Sequence, residues 1–316
     1  MKTILAFLAV LAAFIAAPFA LGPYYTTLII PILAYAIALT GLNLLFGCGG
    51  LLSFGHAMFL AIGAYASAVM GAKLGVRSFE AQLIVAMLAS GTVAALIGLL
   101  CLRYTTIFFS MLTLAFGMIF HSFLFKFYDL TGGESGISVP RPSLFGASFA
   151  SMSKTAFLVG PFYWYALGLF AVMFLLMALI VSSPFGLALK AGRDNERKTS
   201  FLGVPVFRVR YVAFILSGIY CAVGGAVLAV SIGAADPELS YWTQSGNMIF
   251  IIILGGLGQL FGPVVGAVSF TLLQDSLMAN TEYWRFALGA ILALIIVFAP
   301  RGILGLITRA LEWRRR

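Results

Sequence analysis

Charge is what this sequence has least of. Asp, Glu, Lys and Arg together make up 9% of its 316 residues, whereas apolar residues make up 62%, and the mean hydropathy is +1.08. A soluble domain is about one quarter charged and about half apolar. A soluble chain of this length would need a charged surface that these residues cannot supply. A lipid bilayer removes the need, because there the backbone polar groups are satisfied inside helices or closed barrels. Acids are scarcer than bases, and only Asp275 falls inside an expected span, near its outer end, where hydration at the interface competes with a functional reading. That excludes the membrane enzymes that gather several carboxylates around a metal. No carboxylate pair, metal cluster or nucleophile–base arrangement is present, and there is no glycine-rich loop ending in Gly-Lys-Ser/Thr to cradle a nucleotide. Cys48, Cys101 and Cys221 lie far apart without ligand spacing and read as small apolar residues in helices. The net charge of +9 comes from bases in loops and at the C-terminus, the pattern of membrane topology rather than of nucleic-acid binding.

What the chain has in quantity is uncharged runs: 3–72, 81–102, 104–125, 155–189, 211–235, 239–274 and 286–300. A spanning helix needs roughly 20 apolar residues. The first run therefore holds three spans and most of the others hold one. The expected fold is an all-α polytopic membrane protein in one domain over residues 1–316. It has about ten helices, at 3–21, 25–46, 55–72, 81–102, 105–125, 163–182, 211–232, 243–255, 262–278 and 286–299. Residues 1–21 read as a retained first helix, with a cleaved signal peptide as the alternative. Placing the N-terminus inside puts Lys2, Arg103, the six bases of 183–210 and the five after Pro300 on the inner side, with only Asp194, Glu196 and Glu312 as acids. The asymmetry argues for both termini inside. Residues 126–162, with Gly132, Gly133, Gly136, Pro140 and Pro142, then form the largest outer loop, with a short surface helix around 147–159.

Three stretches stand out. In the first, Gly41, Asn43, Gly47, Gly49, Gly50, Ser53, Gly55 and His56 crowd a segment too glycine-rich for an unbroken helix. One reading is a discontinuous stretch lining a pathway, where helix ends offer free backbone donors and acceptors. The other is a tight turn with small-residue packing. His56 either meets solute or is a buried imidazole bonded to a carbonyl. The second stretch, with Gly255, Gly256, Gly258, Gly262, Pro263 and Gly266, resembles the first in arrangement and hints at an internal duplication. Its readings are the same pathway role or a packed hairpin. The third runs from Ser183 to Val204. Asp194 is a candidate N-cap, Arg197 and Lys198 follow one turn later, Phe201 and Leu202 lie on the same short helix, and Gly203 ends it. Exposed apolar residues on a charged helix suit a groove in a partner protein, or a helix lying on anionic lipid.

Together these stretches resemble the bacterial branched-chain amino-acid ABC importer permeases, of the LivM type. The resemblance is carried by Leu42 to Gly47 with Ser53, Phe54, Gly55, His56, Gly63 and Tyr65. It is carried also by Ser183 to Gly186, Arg193 to Glu196 and Leu202-Gly203, by Gly255 to Gly266, and by the Pro300-Arg301-Gly302 ending. It implies the ten-helix ABC permease fold, with no catalytic residues in this chain. It implies a second related permease subunit, two cytoplasmic ATPases that carry the ATP and Mg, and a periplasmic solute-binding protein, at the bacterial inner membrane. The loop Arg193, Asp194, Asn195, Glu196, Phe201, Leu202 and Gly203 would be the ATPase-coupling helix. Asn43, Gly49, Gly50, Ser53, His56, Gly255, Gly256 and Gly258 are the candidates for the substrate pathway. The chain departs from the family in having Arg197-Lys198-Thr199-Ser200 where small residues are usual, which suits an ATPase with an acidic groove. Urea, short amides or other amino acids are alternative solutes. A stand-alone secondary transporter is the alternative class, although it would normally carry an ionisable residue in mid-span.

Overall fold

The computed structural model describes residues 2–104, 107–149, 151–298 and 302–305. The expected start of the fifth span at Thr105, the end of the tenth at Ala299, Pro300-Arg301 and the basic tail lie outside the described residues. The helices are α1 (Lys2–Ala20), α2 (Pro23–Asn43), α3 (His56–Ala72), α4 (Phe79–Cys101), α5 (Ile107–Lys126), α6 (Tyr128–Thr131), α7 (Lys154–Phe157), α8 (Tyr163–Ser182), α9 (Pro184–Asp194), α10 (Glu196–Phe201), α11 (Val206–Ile232), α12 (Trp242–Gly255), α13 (Gly262–Asn280) and α14 (Trp284–Phe298). A π-helical turn, Leu44–Cys48, extends α2, and another, Leu158–Phe162, joins α7 to α8. Among the described residues the extended backbone in regular pairing is one short antiparallel ribbon, β1 (Ile137–Ser138) against β2 (Ala234–Ala235). The fold is that of an all-α membrane protein. Pro23–Cys48, Phe79–Cys101, Ile107–Lys126, Lys154–Ser182 and Val206–Ile232 are each long and apolar enough to cross a bilayer.

Burial sorts these helices into two layers. The most apolar windows of the α2 and α11 stretches are 83% and 78% buried, whereas those of α4, α5 and the α7–α8 stretch are about one third buried. A helix that is apolar all round and covered by protein belongs at the centre, so α2 and α11 form the axis, with α11 against α2, α3 and α4. Lipid tails give helices no hydrophobic reason to associate, so contact depends on close backbone approach at small residues. Gly224 faces Ala34 and Ala38 of α2, Gly225 faces the backbone of Leu60 in α3, and Gly63 of α3 faces Ala222. A Cβ at any of the three would run into backbone atoms. Polar side chains in the core bond across helices: Ser90 donates to Gly218 O at 2.8 Å, Tyr220 to Met173 O at 3.0 Å, and the Gln244 amide to Tyr35 Oη at 2.7 Å. The helix α1 lies along α8, with Phe7 stacked on Phe174 and Tyr163 donating to Phe14 O at 2.5 Å.

Several boundaries differ from expectation for identifiable reasons. The break expected at 47–53 begins later, because the π-helical turn carries the helix through Cys48 before Gly50 turns into left-handed backbone, φ +70°. The surface helix expected around 147–159 starts at Lys154, where Ser153 accepts a hydrogen bond from Ala156 N, and it runs on into α8. The 183–210 segment holds two helices and the start of a third. Ser183 caps α9 by accepting from Gly186 N, and Pro184 takes the first position, where its missing N–H is harmless. The helix α11 begins at Val206 rather than 211, and so carries Arg208 and Arg210 on its first turns.

Candidate functional site

The two glycine-rich stretches meet each other, and the charged segment meets both, at the end of the bundle that carries α9 and α10. Asn43 closes α2 and uses both ends of its amide on the α12–α13 turn. Its Nδ2 donates to Gln259 O and its Oδ1 accepts from Gly258 N, both at 3.0 Å. That turn needs glycine, since Gly256 has φ +131° and Gly258 φ +74°. The approach is tight: a Cβ on Gly47 would stand 2.6 Å from Gly258 N, and one on Gly255 would stand 2.6 Å from Gly266 N. Arg193 reaches in from α9 and donates from Nη1 to Gly47 O at 2.7 Å. Leu189 of the same helix packs at Gly49. A void beside this junction, lined by Thr40, Asn43, Leu44, Cys48, Met177, Val181, Gly258 and Leu260, measures about 10 Å³. That is room for about one water and no solute.

Ser53 and His56 belong to a second, fully buried cluster. The imidazole lies between two hydroxyls, with Nδ1 2.7 Å from Ser53 Oγ and Nε2 2.7 Å from Ser217 Oγ. Phe59 and Phe214 meet the ring edge-on, at 5.4 and 5.8 Å between centroids. The expected carbonyl partner of His56 is therefore replaced by two serines. One hydroxyl donates to the unprotonated ring nitrogen and the other accepts from the N–H. Ser245 of α12 accepts from Ala57 N at 2.9 Å, which satisfies one of the free donors at the start of α3. Ser110 of α5 donates to Leu52 O at 2.7 Å. Side chains of other helices thus meet Leu52 O of the irregular backbone and Ala57 N at the start of α3, the kind of pairing that backbone of this sort needs inside an apolar bundle.

The charged segment projects from this end. The N-cap of α10 is Asn195, not Asp194: its Oδ1 accepts from Lys198 N at 2.9 Å, from an extended backbone of φ −157°. Asp194 is still the last residue of α9, and its carboxylate is taken by the Arg193 guanidinium at 2.8 Å. Glu196 accepts from Arg210 Nη1 at 2.8 Å, while Arg210 Nη2 donates to Gly192 O. The Arg210 side chain is only 11% exposed, so this pair holds α10 onto α11. Phe201 and Leu202 are 91% and 83% exposed. Gly203, with φ +83°, ends the helix just after them. Beside them lies an open groove of about 830 Å³, lined by Asn195, Arg197, Phe201, Val204, Pro205 and Phe207 among others.

Sequence reading therefore found Asn43, Gly258 and Arg193 but not their contact, and it missed Ser217, Ser245, Gln259 and Arg210. Ser217 and Ser245 are polar residues within long apolar runs, a signal that was present. Nothing local marks Gln259 or Arg210.

A helical bundle with an irregular end to its central helix, a turn locked against that end and a capped helix presenting bare apolar side chains suits a membrane transport protein. Residues 24–297 match the family model described as branched-chain amino acid transport system / permease component, and the chain belongs to that family of transport subunits. It is 29% identical over 291 residues to the LivM permease protein of the high-affinity branched-chain amino acid transport system of Salmonella typhimurium, covering 85% of this chain and 67% of that one. It is 25% identical over 295 residues to the LivH permease protein of Escherichia coli, covering 86% and 91%. The galactose/methyl galactoside import permease protein MglC of Haemophilus influenzae is 24% identical over 223 residues, covering 67% and 65%. No solved structure matches the chain.

Proposed function

We propose that this chain is one of two related permease subunits of an ATP-binding-cassette importer in the bacterial inner membrane, and that it moves branched-chain amino acids or a closely related solute. In this reading ten of its helices cross the bilayer with both termini in the cytoplasm, as the distribution of bases favours. The segment from α9 to Gly203 is then cytoplasmic and docks on one of two ATPase subunits, which bind the ATP and Mg. Solute arrives from a periplasmic binding protein. The pathway residues are those around Asn43, Gly49, Gly50, Ser53, His56, Gly255, Gly256 and Gly258, packed shut in the conformation described above. Opening them is a rigid-body or hinge transition driven from the ATPases.

The observation that carries this reading is the exposure of Phe201 and Leu202 at the end of a capped helix that Arg210 holds against α11. A lone solvated loop has no use for two bare apolar side chains, whereas a partner with an apolar groove and acidic rim has. The LivM and LivH relatives, each named as a permease protein of a branched-chain amino acid transport system, support the choice of solute.

Proteoliposomes test the reading. The purified complex should accumulate leucine only when ATP is inside, the ATPase subunits are present and the binding protein is outside. Uptake driven by an ion gradient, with the chain alone, would instead make it a secondary transporter.

A further inference from the structure

Arg193 sits where three segments distant in sequence touch. Its Nη1 hydrogen bond to Gly47 O, at 2.7 Å, falls on the C-terminal turn of the α2 extension. The carbonyls of the last turn of a helix lack intrahelical partners, and the helix dipole there favours a cation. Its Cγ lies 2.5 Å from where a Cβ on Gly50 would stand, so Gly50 leaves the space the arginine stem fills. Its Nη1 is 3.9 Å from the Cβ position of Gly258, on the turn that Asn43 ties to α2. On the outer side, Nε and Nη2 both donate to Asp194 Oδ1, at 3.0 and 2.8 Å. The guanidinium is thus held from one side by its own helix and presses on the other against the point where α2 stops being a regular helix. Among the described hydrogen bonds it is the one that joins α9 or α10 to α2. Arg210, by contrast, ties α10 and α9 to α11.

We propose that Arg193 is a positioning residue that transmits displacement of the docking segment to the π-helical turn of α2 and the α12–α13 turn, rather than a residue that grips the ATPase. The proposal rests on the importer reading above. When α9 and α10 move, the Nη1 bond to Gly47 O and the stem against Gly50 move the end of α2. Asn43 then carries the displacement to Gly258 and Gln259. A planar fork bonded on both edges transmits direction, which a lysine ammonium at the same place does less well. π-helical turns are frequent at functional sites, and a turn of this kind has a regular α-helical alternative into which it can be driven.

The test uses the complete complex of permeases, ATPases and binding protein in proteoliposomes, carrying Arg193→Ala, Arg193→Gln or Arg193→Lys. ATPase co-purification, ATP hydrolysis and leucine uptake are measured on each. The expected result is full ATPase capture and hydrolysis near the wild-type rate, with leucine moved per ATP lowered about tenfold or more for Arg193→Ala and Arg193→Gln, a typical span for loss of coupling between sites. Arg193→Lys should recover part of the loss. Unchanged leucine per ATP in all three variants overturns the proposal, and so does loss of the ATPases from Arg193→Ala, which would make the arginine a docking contact. If Arg193→Ala does not yield a monodisperse permease, Arg193→Gln and Arg193→Lys decide between the same outcomes. Failure of the unaltered complex to capture ATPases would instead bring down the importer reading.

Discussion

Replacing Phe201 and Leu202 together by glutamate is expected to strip the ATPase subunits from the purified complex. Both side chains are almost fully exposed in the permease alone, so the substitution removes no packing and leaves permease yield and melting unchanged. The effect falls on the interface. An apolar anchor seated in a partner's groove contributes about 2 kcal/mol or more. Two of them correspond to about 4 kcal/mol, on the order of a thousandfold in dissociation constant. The introduced carboxylates add to this, because burying an unpaired charge is costly and the flanking Arg197 and Lys198 call for an acidic partner surface. Co-purification of tagged permease with ATPase, measured by densitometry, reads the result directly. Alanine at both positions should have a smaller effect in the same direction. A double-glutamate variant that retains its ATPases means that the segment does not dock through these residues.

The second large effect is expected inside the bundle. Changing His56 to alanine should lower the unfolding free energy in detergent by about 4 kcal/mol. It removes a buried ring wedged between Phe59 and Phe214, and a void of that kind costs about 2–4 kcal/mol. It also leaves the Ser217 hydroxyl without its partner and Ser53 Oγ with only the long bond it accepts from Gly55 N, 3.4 Å, and a buried orphan hydroxyl costs about 1–3 kcal/mol. Some relaxation and water entry bring the total below the sum. The two contributions separate experimentally. His56→Phe refills the space but still removes the imidazole partner of both hydroxyls, so it should remain destabilised. Adding Ser53→Ala and Ser217→Ala to His56→Phe should recover most of the loss, since removing all members of a buried polar set is nearly neutral. Equal stability of the single and triple phenylalanine variants would show that the serine–histidine bonds contribute nothing.

Much of this fold could be read from the positions of the charges. The spans at 81–102, 163–182 and 262–278 lie within a few residues of α4, α8 and α13, because lipid-facing and core helices alike must be uncharged over a bilayer's thickness. The charged segment at 183–210 was legible as a capped helix with bare apolar residues. Its cap was misassigned by one residue, because the start signal at Ser183-Pro184 launches a helix that runs through Asp194 and leaves Asn195 as the first extended residue. What local pattern could not show was contact across the chain. Gly47 and Arg193 are 146 residues apart, and His56 and Ser217 are 161 apart. The glycines announced a break and a tight turn, but not that each is the other's packing partner. The π-helical turn at Leu44–Cys48 had no signal of its own, and the residues that hold Asn43 at its start, Gly258 and Gln259, lie 215 and 216 residues away.

Docking on an ATPase is tested most directly by a photo-reactive phenylalanine analogue in place of Phe201, irradiated in membranes that contain the whole complex. The product expected is a covalent adduct of the permease with one ATPase chain, weakened when the complex is washed free of ATPases. Label recovered on phospholipid alone, with the ATPases present, would show that α10 lies on the membrane surface and would contradict its assignment as the coupling helix.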